Sequence, residues 1–359
     1  MSQGIKDILK SNRVIYKMLV RPYRILKAMS KALINHDMNY LLNFISAQAG
    51  FERSLGRPVL LTLEPSNSCN LRCPACETGS RILERDSGSV SFDEYRNILD
   101  QFDNHLHSVF LYFMGEPFLN KDIYKMISYT VEKGLYVSAC TNGELLDPEK
   151  MIDSGISDIQ FQISGITEEA HNAYRINGDI QKTLMNIRKA VRYKKQHIDS
   201  LRKMKYIPNI GLGLILMKQN EKKIEDFIEL AKDIGVDEYN IIDPCVRDVE
   251  QAFKYLPADK KHWVYDPTAL EKGELKIKNQ PGNYCEWVYS TVTVQVNGDV
   301  VPCCRDPHGK HVLGNVFKES IYEIWNNEKY RLLRKKIRKE QSSMELCRLC
   351  EGYSSPERP

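Results

Sequence analysis

The amino-acid sequence predicts an α/β protein. Its centre is a partial (β/α)6 barrel, preceded by a helical extension and followed by a small β-hairpin/helix domain. Three observations carry this. Strand-like and helix-like segments alternate six times between residues 58 and 243, the pattern of a parallel sheet with helices outside. The rhythm stops near residue 250. Beyond 285, one hairpin signal is followed by one amphipathic helical stretch. The chain divides accordingly into an extension (1–57), a core (58–249), a linker (250–284) and a C-terminal domain (285–359).

Taken in order, residues 4–50 read as helix, because Ile5, Leu9, Ile15, Leu19, Leu26, Met29 and Leu33 recur at helical spacing. Asn35 and Asp37 mark a break and a new N-cap. Residues 58–64 are the first strand. Residues 91–102 are a helix with a capping box, Ser91 paired to Glu94. A strand at 108–113 and a helix at 121–133 follow, the helix stopped by Gly134. Next come a strand at 136–140, a helix at 148–154 opened by Pro148, and a strand at 158–164. A helix at 183–195, a strand at 209–217, a helix at 221–234 stopped by Gly235, and a strand at 238–242 complete the six units. Residues 250–284 are polar and read as an irregular linker or lid. The segment 291–303 alternates around Asn297-Gly298, a two-residue hairpin signal. Residues 319–339 form a basic amphipathic helix.

The composition, 42% hydrophobic and 27% charged, is that of an ordinary globular protein. No run of about 18 apolar residues exists for a membrane span, and the N-terminus lacks a signal-peptide pattern. These features place the protein in the cytoplasm. The net charge of +4 is uneven. Lys6, Lys10, Arg13, Lys17, Arg21, Arg24, Lys27 and Lys31 face only Asp7 and Asp37 in the first fifty residues. That segment suits two fates: packing its apolar stripe on the barrel, the commoner one, or lying on a membrane surface. Basic and aromatic residues do not interleave as in a nucleic-acid module, so no nucleic-acid partner is expected.

Ten cysteines in a cytoplasmic chain point to metal or redox work rather than disulfides. Cys140 and Cys245 stand apart and read as buried small hydrophobes. Cys69, Cys73 and Cys76 follow directly on the first strand, at the strand end where β/α barrels place their chemistry. Three thiolates on a compact loop can ligate three irons of a cubane and leave the fourth open. A zinc site would ask for paired knuckles and four ligands. Cys285, Cys303, Cys347 and Cys350 form a second group. The hairpin brings the first two to one end of the C-terminal domain, where the last two return after the helix. Four thiolates complete either a closed cluster or a zinc site, which spacing alone does not separate.

Residues 64–76, EPSNSCNLRCPAC, closely resemble the cluster loop of the radical S-adenosylmethionine (SAM) superfamily. Other stretches match in order. Met114, Gly115, Glu116 and Pro117 resemble the family's Gly-Gly-Glu-Pro motif, whose backbone receives the SAM amino group. Thr141-Asn142-Gly143 follows the third strand as in relatives, so Asn142 joins the SAM-binding set. Ser164 and the pair Tyr174-Arg175 stand where the family contacts the SAM ribose or carboxylate. Ala75 replaces the aromatic residue often found before the third cysteine. The resemblance implies that a reduced 4Fe–4S cluster cleaves SAM and that the resulting 5′-deoxyadenosyl radical abstracts hydrogen from a substrate. It also implies an external reductant such as flavodoxin or ferredoxin.

The C-terminal cysteines are similar to the SPASM domains of this superfamily and to their shortened twitch form. This implies a second, auxiliary 4Fe–4S cluster on Cys285, Cys303, Cys347 and Cys350, with Cys304 a bystander. The shortened form implies oxidation of a small molecule, a sugar or a cyclitol, and the basic N-terminal helix adds a lipid-linked compound. The wider SPASM group implies a peptide-modifying maturase, although no peptide-binding extension is evident at the N-terminus. A non-catalytic electron carrier is the reading from a different class. Glu64, on the first strand and facing the lumen, is the candidate to touch substrate. It serves equally well as a support for the cluster loop.

Overall fold

The structure is a computed structural model that describes residues 37–352, except Asp103, Gln280 and Pro281, together with a few positions between 26 and 34. Most of the helix expected over 4–50 therefore lies outside the described residues. Its last part is α1 (Asn39–Ala49), and Asp37 does act at its start, accepting the Asn39 N–H at 2.8 Å.

The barrel units follow as β1 (Leu60–Leu63), α2 (Phe92–Leu99), β2 (Ser108–Phe110), α3 (Ile123–Glu132), β3 (Tyr136–Thr141), α4 (Pro148–Asp153) and β4 (Asp158–Ile163). The short α5 (Glu168–Asn172) and long α6 (Ile180–Gln196) lead to β5 (Asn209–Ile215), α7 (Ile224–Ile234) and β6 (Glu238–Ile242). The signals act as read. Ser91 and Glu94 close a reciprocal capping box on α2. Gly235 takes φ 77° behind α7, which only glycine adopts without strain.

All six strands are parallel and fully ordered in sequence across the sheet. Alternation sorts their faces. Leu61, Leu63, Val109, Val137, Ala139, Ile159, Phe161, Ile210 and Leu212 enter the main core. The intervening Thr62, Ser138, Cys140, Gln160 and Gln162 lie on the opposite face, as the two-residue period requires.

Residues 250–284 are not irregular throughout. Helices α8 (Val249–Tyr255) and α9 (Pro267–Glu271) form there. Val246, Ala252, Tyr255, Leu256, Tyr265, Leu270, Leu275 and Ile277 make a core of their own with Tyr174 and Met217. The signals were local and short: Asp248 and Asp266 each cap a helix with a side-chain oxygen.

The C-terminal segment holds α10 (Trp287–Ser290), β7 (Thr291–Val294), β8 (Asp299–Val301), β9 (Gly314–Asn315), α11 (Ile321–Trp325) and α12 (Glu328–Glu340). Its hairpin is fused to the barrel rather than standing apart. Strand β7 pairs in parallel with β1, and β8 and β9 continue antiparallel. The described strands thus form one open sheet ordered β6-β5-β4-β3-β2-β1-β7-β8-β9.

The turn is not the two-residue type expected. Gly298 N–H donates to Gln295 O, Gln295 N–H donates to Asp299 O, and Gly298 alone of the pair takes a positive φ, 82°. A type I turn with a glycine bulge results. The single helix expected over 319–339 is two. Ser320 and Glu323 box-cap α11, and Asn327 starts α12 by accepting the Tyr330 N–H. No described helix is long and apolar enough to cross a membrane.

Candidate functional site

The first cysteine loop leaves β1 and is folded by close backbone contacts. A Cβ on Gly79 would meet the Cys73 backbone at 2.5 Å, so only glycine lets the loop close on itself. Arg72 holds the loop from within, donating to the carbonyls of Cys69 and Leu71 at 3.0 and 2.9 Å. The thiols of Cys69, Cys73 and Cys76 lie within electrostatic reach of one another. Burial pushes Cys69 up to about 12 and raises Cys73, which the nearby Arg175 charge opposes. None of the ten cysteines is in a disulfide.

The turn after β2 packs against this loop. Gly115 takes φ 76°, and a Cβ there would meet Ser66 O at 2.3 Å. Glu116 N–H donates to Ser68 O at 2.8 Å. The Glu116 carboxylate is buried and accepts from Thr141 Oγ1 (2.8 Å) and from the N–H groups of Asn142 (2.9 Å) and Phe118 (3.1 Å). Burial raises its pKa against these donors. Asn142 is fully engaged in turn. Its Nδ2 donates to Asn70 Oδ1 at 2.8 Å, and its Oδ1 accepts the Glu144 N–H at 3.0 Å. Asn70 then donates to Glu144, whose other oxygen accepts the Asp179 N–H. One network therefore joins the cysteine loop to the ends of β2 and β3 and to the start of α6. Asn70 and Glu144 were not singled out from the sequence, although Asn70 lies inside the Cys-Asn-Leu run.

At the end of β4, Ser164 donates to His171 O at 3.0 Å and its own carbonyl accepts from Asn220 at 2.8 Å. Arg175 follows α5. It is 8% exposed, and its Nε is buried without a partner among the described residues. Its charge acts on Cys73, Glu116, Cys140 and Glu144. A buried cation with an unspent donor near the Cys73 thiol is a ready seat for a carboxylate. Met114, half-buried, and Pro117, buried, flank the same turn. Glu116 and Asn142 are thus hydrogen-bonded to the loop and Arg175 acts on Cys73, whereas Ser164 joins His171 and Asn220 instead; the donor set fits a thiolate-held cluster with an amino-acid cofactor beside it. Tyr174, Cys73 and Ala75 are covered by the small core of residues 246–277. Arg247 ties that cover to the loop, donating to Pro74 O at 2.8 Å and lying 3.7 Å from Glu77.

Glu64 does not stand free. It is wholly buried, paired bidentately with Arg85 at 2.8 Å for both bonds, and accepts the Val296 N–H at 3.0 Å. Arg85 also donates to Pro307 O at 2.6 Å. The carboxylate is a rivet between the cysteine loop and the C-terminal segment.

Cys285, Cys303, Cys347 and Cys350 gather as expected. Cys285 and Cys303 each feel Cys350, and Cys347 feels it too. Burial pushes Cys285 up to about 12 and Cys347 up to about 11. Among the described residues no three His, Cys, Asp or Glu side chains are grouped to hold one metal ion. A cubane asks for something else, one thiolate at each of its separate irons.

Between the two cysteine groups lies a cleft of about 430 Å³. One wall holds Ala75, Glu77 and Arg247, and the other holds Cys304, Arg305 and His308. Cys245 also lines this cleft and is exposed, so it is not the buried small hydrophobe expected. Its chain position after β6, beyond the last sheet pairing, leaves it outside the core. Cys140 is only half-buried, on the polar face of β3.

The chain matches the radical SAM superfamily over residues 63–231 and an iron–sulfur cluster-binding SPASM domain over residues 285–351. It is 25% identical over 330 residues to an AdoMet-dependent heme synthase of Methanosarcina barkeri, covering 82% of this chain and 88% of that protein. It is 23% identical over 318 residues to the PqqA peptide cyclase of Bradyrhizobium diazoefficiens, covering 79% and 81%. Among solved structures, SuiB of Streptococcus suis bound to the precursor peptide SuiA superposes with a TM-score of 0.59 at 15% identity, covering 87% of this chain and 75% of that one. The family's cofactors follow: a SAM-binding 4Fe–4S cluster, SAM itself and auxiliary iron–sulfur ligation. The loop geometry, the buried network and both matches agree, and the chain belongs to the radical SAM superfamily as an enzyme with a C-terminal SPASM domain.

Proposed function

We propose that this enzyme modifies a peptide substrate held in the cleft between two iron–sulfur centres. The cleft carries the reading, because it opens between the loop of Cys69, Cys73 and Cys76 and the loop of Cys303 and Cys304. Cys69, Cys73 and Cys76 would hold the SAM-binding cluster. Arg175 would hold the SAM carboxylate, and the backbone of Met114, Gly115, Glu116 and Pro117 its amino group. Asn142 would act by fixing Glu116 and Asn70, and Ser164 by fixing α5, which carries Arg175. Cys285, Cys303, Cys347 and Cys350 would hold the auxiliary cluster. When bound, this cofactor pair supplies one-electron cleavage of SAM and hydrogen abstraction from an unactivated carbon.

The chain's own part is to orient and to exclude water. The cover over Cys73 and Ala75 keeps solvent from the reacting end. Glu64 supports this geometry through Arg85 instead of touching substrate. A flavodoxin- or ferredoxin-like donor would supply the electron. Ten cysteines with no disulfide among them suit the reducing cytoplasm.

A sugar, cyclitol or lipid-linked substrate is the weaker choice, because a relative matched along most of the chain is named for a peptide. Anaerobically reconstituted protein with SAM and dithionite tests the reading. Peptide pools should raise 5′-deoxyadenosine above the peptide-free rate and emerge with altered mass. Turnover with polyols or porphyrins and none with peptides would overturn the substrate class. No 5′-deoxyadenosine under any condition would overturn the enzyme itself.

A further inference from the structure

Helix α12 carries two buried polar groups that the chemistry above does not use. Arg334 is 0% exposed. Its Nε donates to Val288 O at 3.0 Å, and its Nη1 donates to Asn326 Oδ1 at 2.8 Å and Glu52 O at 3.3 Å. Among the described residues its Nη2 has no partner. The guanidinium lies against the rings of Tyr330, Trp325 and Tyr289, at 4.5, 4.7 and 5.2 Å from their centroids. Among the described residues no carboxylate pairs with it. Neutral acceptors and ring faces hold a cation in place without cancelling its charge, and a buried charge left uncompensated is strongly disfavoured. One helical turn earlier, Tyr330 is also 0% exposed, and its hydroxyl has no partner among the described residues.

Tyr330 borders the auxiliary cysteines, and Arg334 lies behind it, against its ring. The Tyr330 phenol lies within electrostatic reach of Cys303 and Cys285 as well as of Arg334. Tyr289 likewise stands between Arg334 and Cys285. A four-thiolate centre at these cysteines is anionic. It would provide both the acceptor that Tyr330 lacks and the counter-charge that Arg334 lacks.

We propose that Tyr330 and Arg334 form a polarising clamp on the auxiliary centre: the Tyr330 hydroxyl donates a hydrogen bond to one of its sulfurs, the Arg334 charge offsets its negative charge, and together they raise its reduction potential. This rests on the reading that Cys285, Cys303, Cys347 and Cys350 hold a cubane. On reduction the centre gains one electron and one negative charge. No bond forms or breaks. The hydroxyl dipole and the cation stabilise the added charge in a medium that screens it poorly.

The test is an EPR-monitored redox titration of the full chain, reconstituted anaerobically with Cys69, Cys73 and Cys76 changed to Ala so that only the auxiliary centre reports. At the potential where this parent is half reduced, Tyr330→Phe should lower the ratio of reduced to oxidised centre about threefold to tenfold. Arg334→Met should lower it about tenfold or more, and Arg334→Lys, which keeps the charge, should restore most of it. Unmoved potentials in Tyr330→Phe and Arg334→Met, with iron retained, overturn the clamp alone. Should Arg334→Met fail to fold, Tyr330→Phe decides, since it removes one oxygen atom and leaves the packing. A parent that holds zinc or no iron at these cysteines overturns the cluster reading and the clamp with it.

Discussion

Glu64 shows how far a residue's type predicts its work. A carboxylate at a barrel strand end could touch substrate or hold a loop, and sequence kept both readings open. The structure saturates it with Arg85 and the Val296 N–H. Glu64→Gln would leave Arg85, 8% exposed in its side chain, without a counter-ion. The expected loss is ~3 kcal/mol or more of stability, read as a lowered urea midpoint, and the cysteine loop should bind its cluster less firmly. His171 is a second such residue. It is 1% exposed, and burial, helped by the Arg175 charge, pushes its imidazole down to about 4 from 6.5. The folded protein therefore binds this proton less readily than the unfolded chain. The stability tied to neutral His171 is whole above about pH 6.5 and is lost as pH falls toward 4, amounting to ~3 kcal/mol at most. Urea unfolding at pH 7 and pH 4.5 checks this, and the difference should shrink in His171→Gln.

Local signals governed the elements where they were complete. The capping box at Ser91 and the glycines after α3 and α7 set those ends as read. The same kinds of signal were present but unread at Ser320, Glu323 and Asn327, where a continuous basic amphipathic stretch masked a helix break. Asn327→Ala should cost ~1 kcal/mol, since it removes the cap of α12 and leaves the Tyr330 N–H unsatisfied. A thermal melt measures it. The effect should reach the C-terminal cysteines, because α12 bears Tyr330 within electrostatic reach of Cys285 and Cys303. The lid helices α8 and α9 are too short to show periodicity. Their stability comes from the core they share with Tyr174 and the cysteine loop.

Across the whole molecule, the C-terminal segment is part of the barrel. Strand β7 extends the sheet at β1, and Cys285, Cys303, Cys347 and Leu346 pack with the main core. Removing residues 250–359 would expose β1 as an apolar edge strand, a template for aggregation. The truncated chain should be insoluble or bind a hydrophobic dye strongly, whereas a soluble, cluster-binding 1–249 fragment would show that the two parts fold independently.

The sequence by itself determined the β/α order, the strand faces, the cysteine groups and the family, because these depend on period, spacing and short motifs that act within a few residues. Only the tertiary structure decided that Glu64 pairs with Arg85, that β7 joins β1, that Cys245 faces a cleft and that Arg334 is buried with no paired carboxylate among the described residues. Each of those depends on groups 20 to more than 200 residues apart in the chain meeting in space, and no local pattern encodes which partner a buried charge or a strand edge will find.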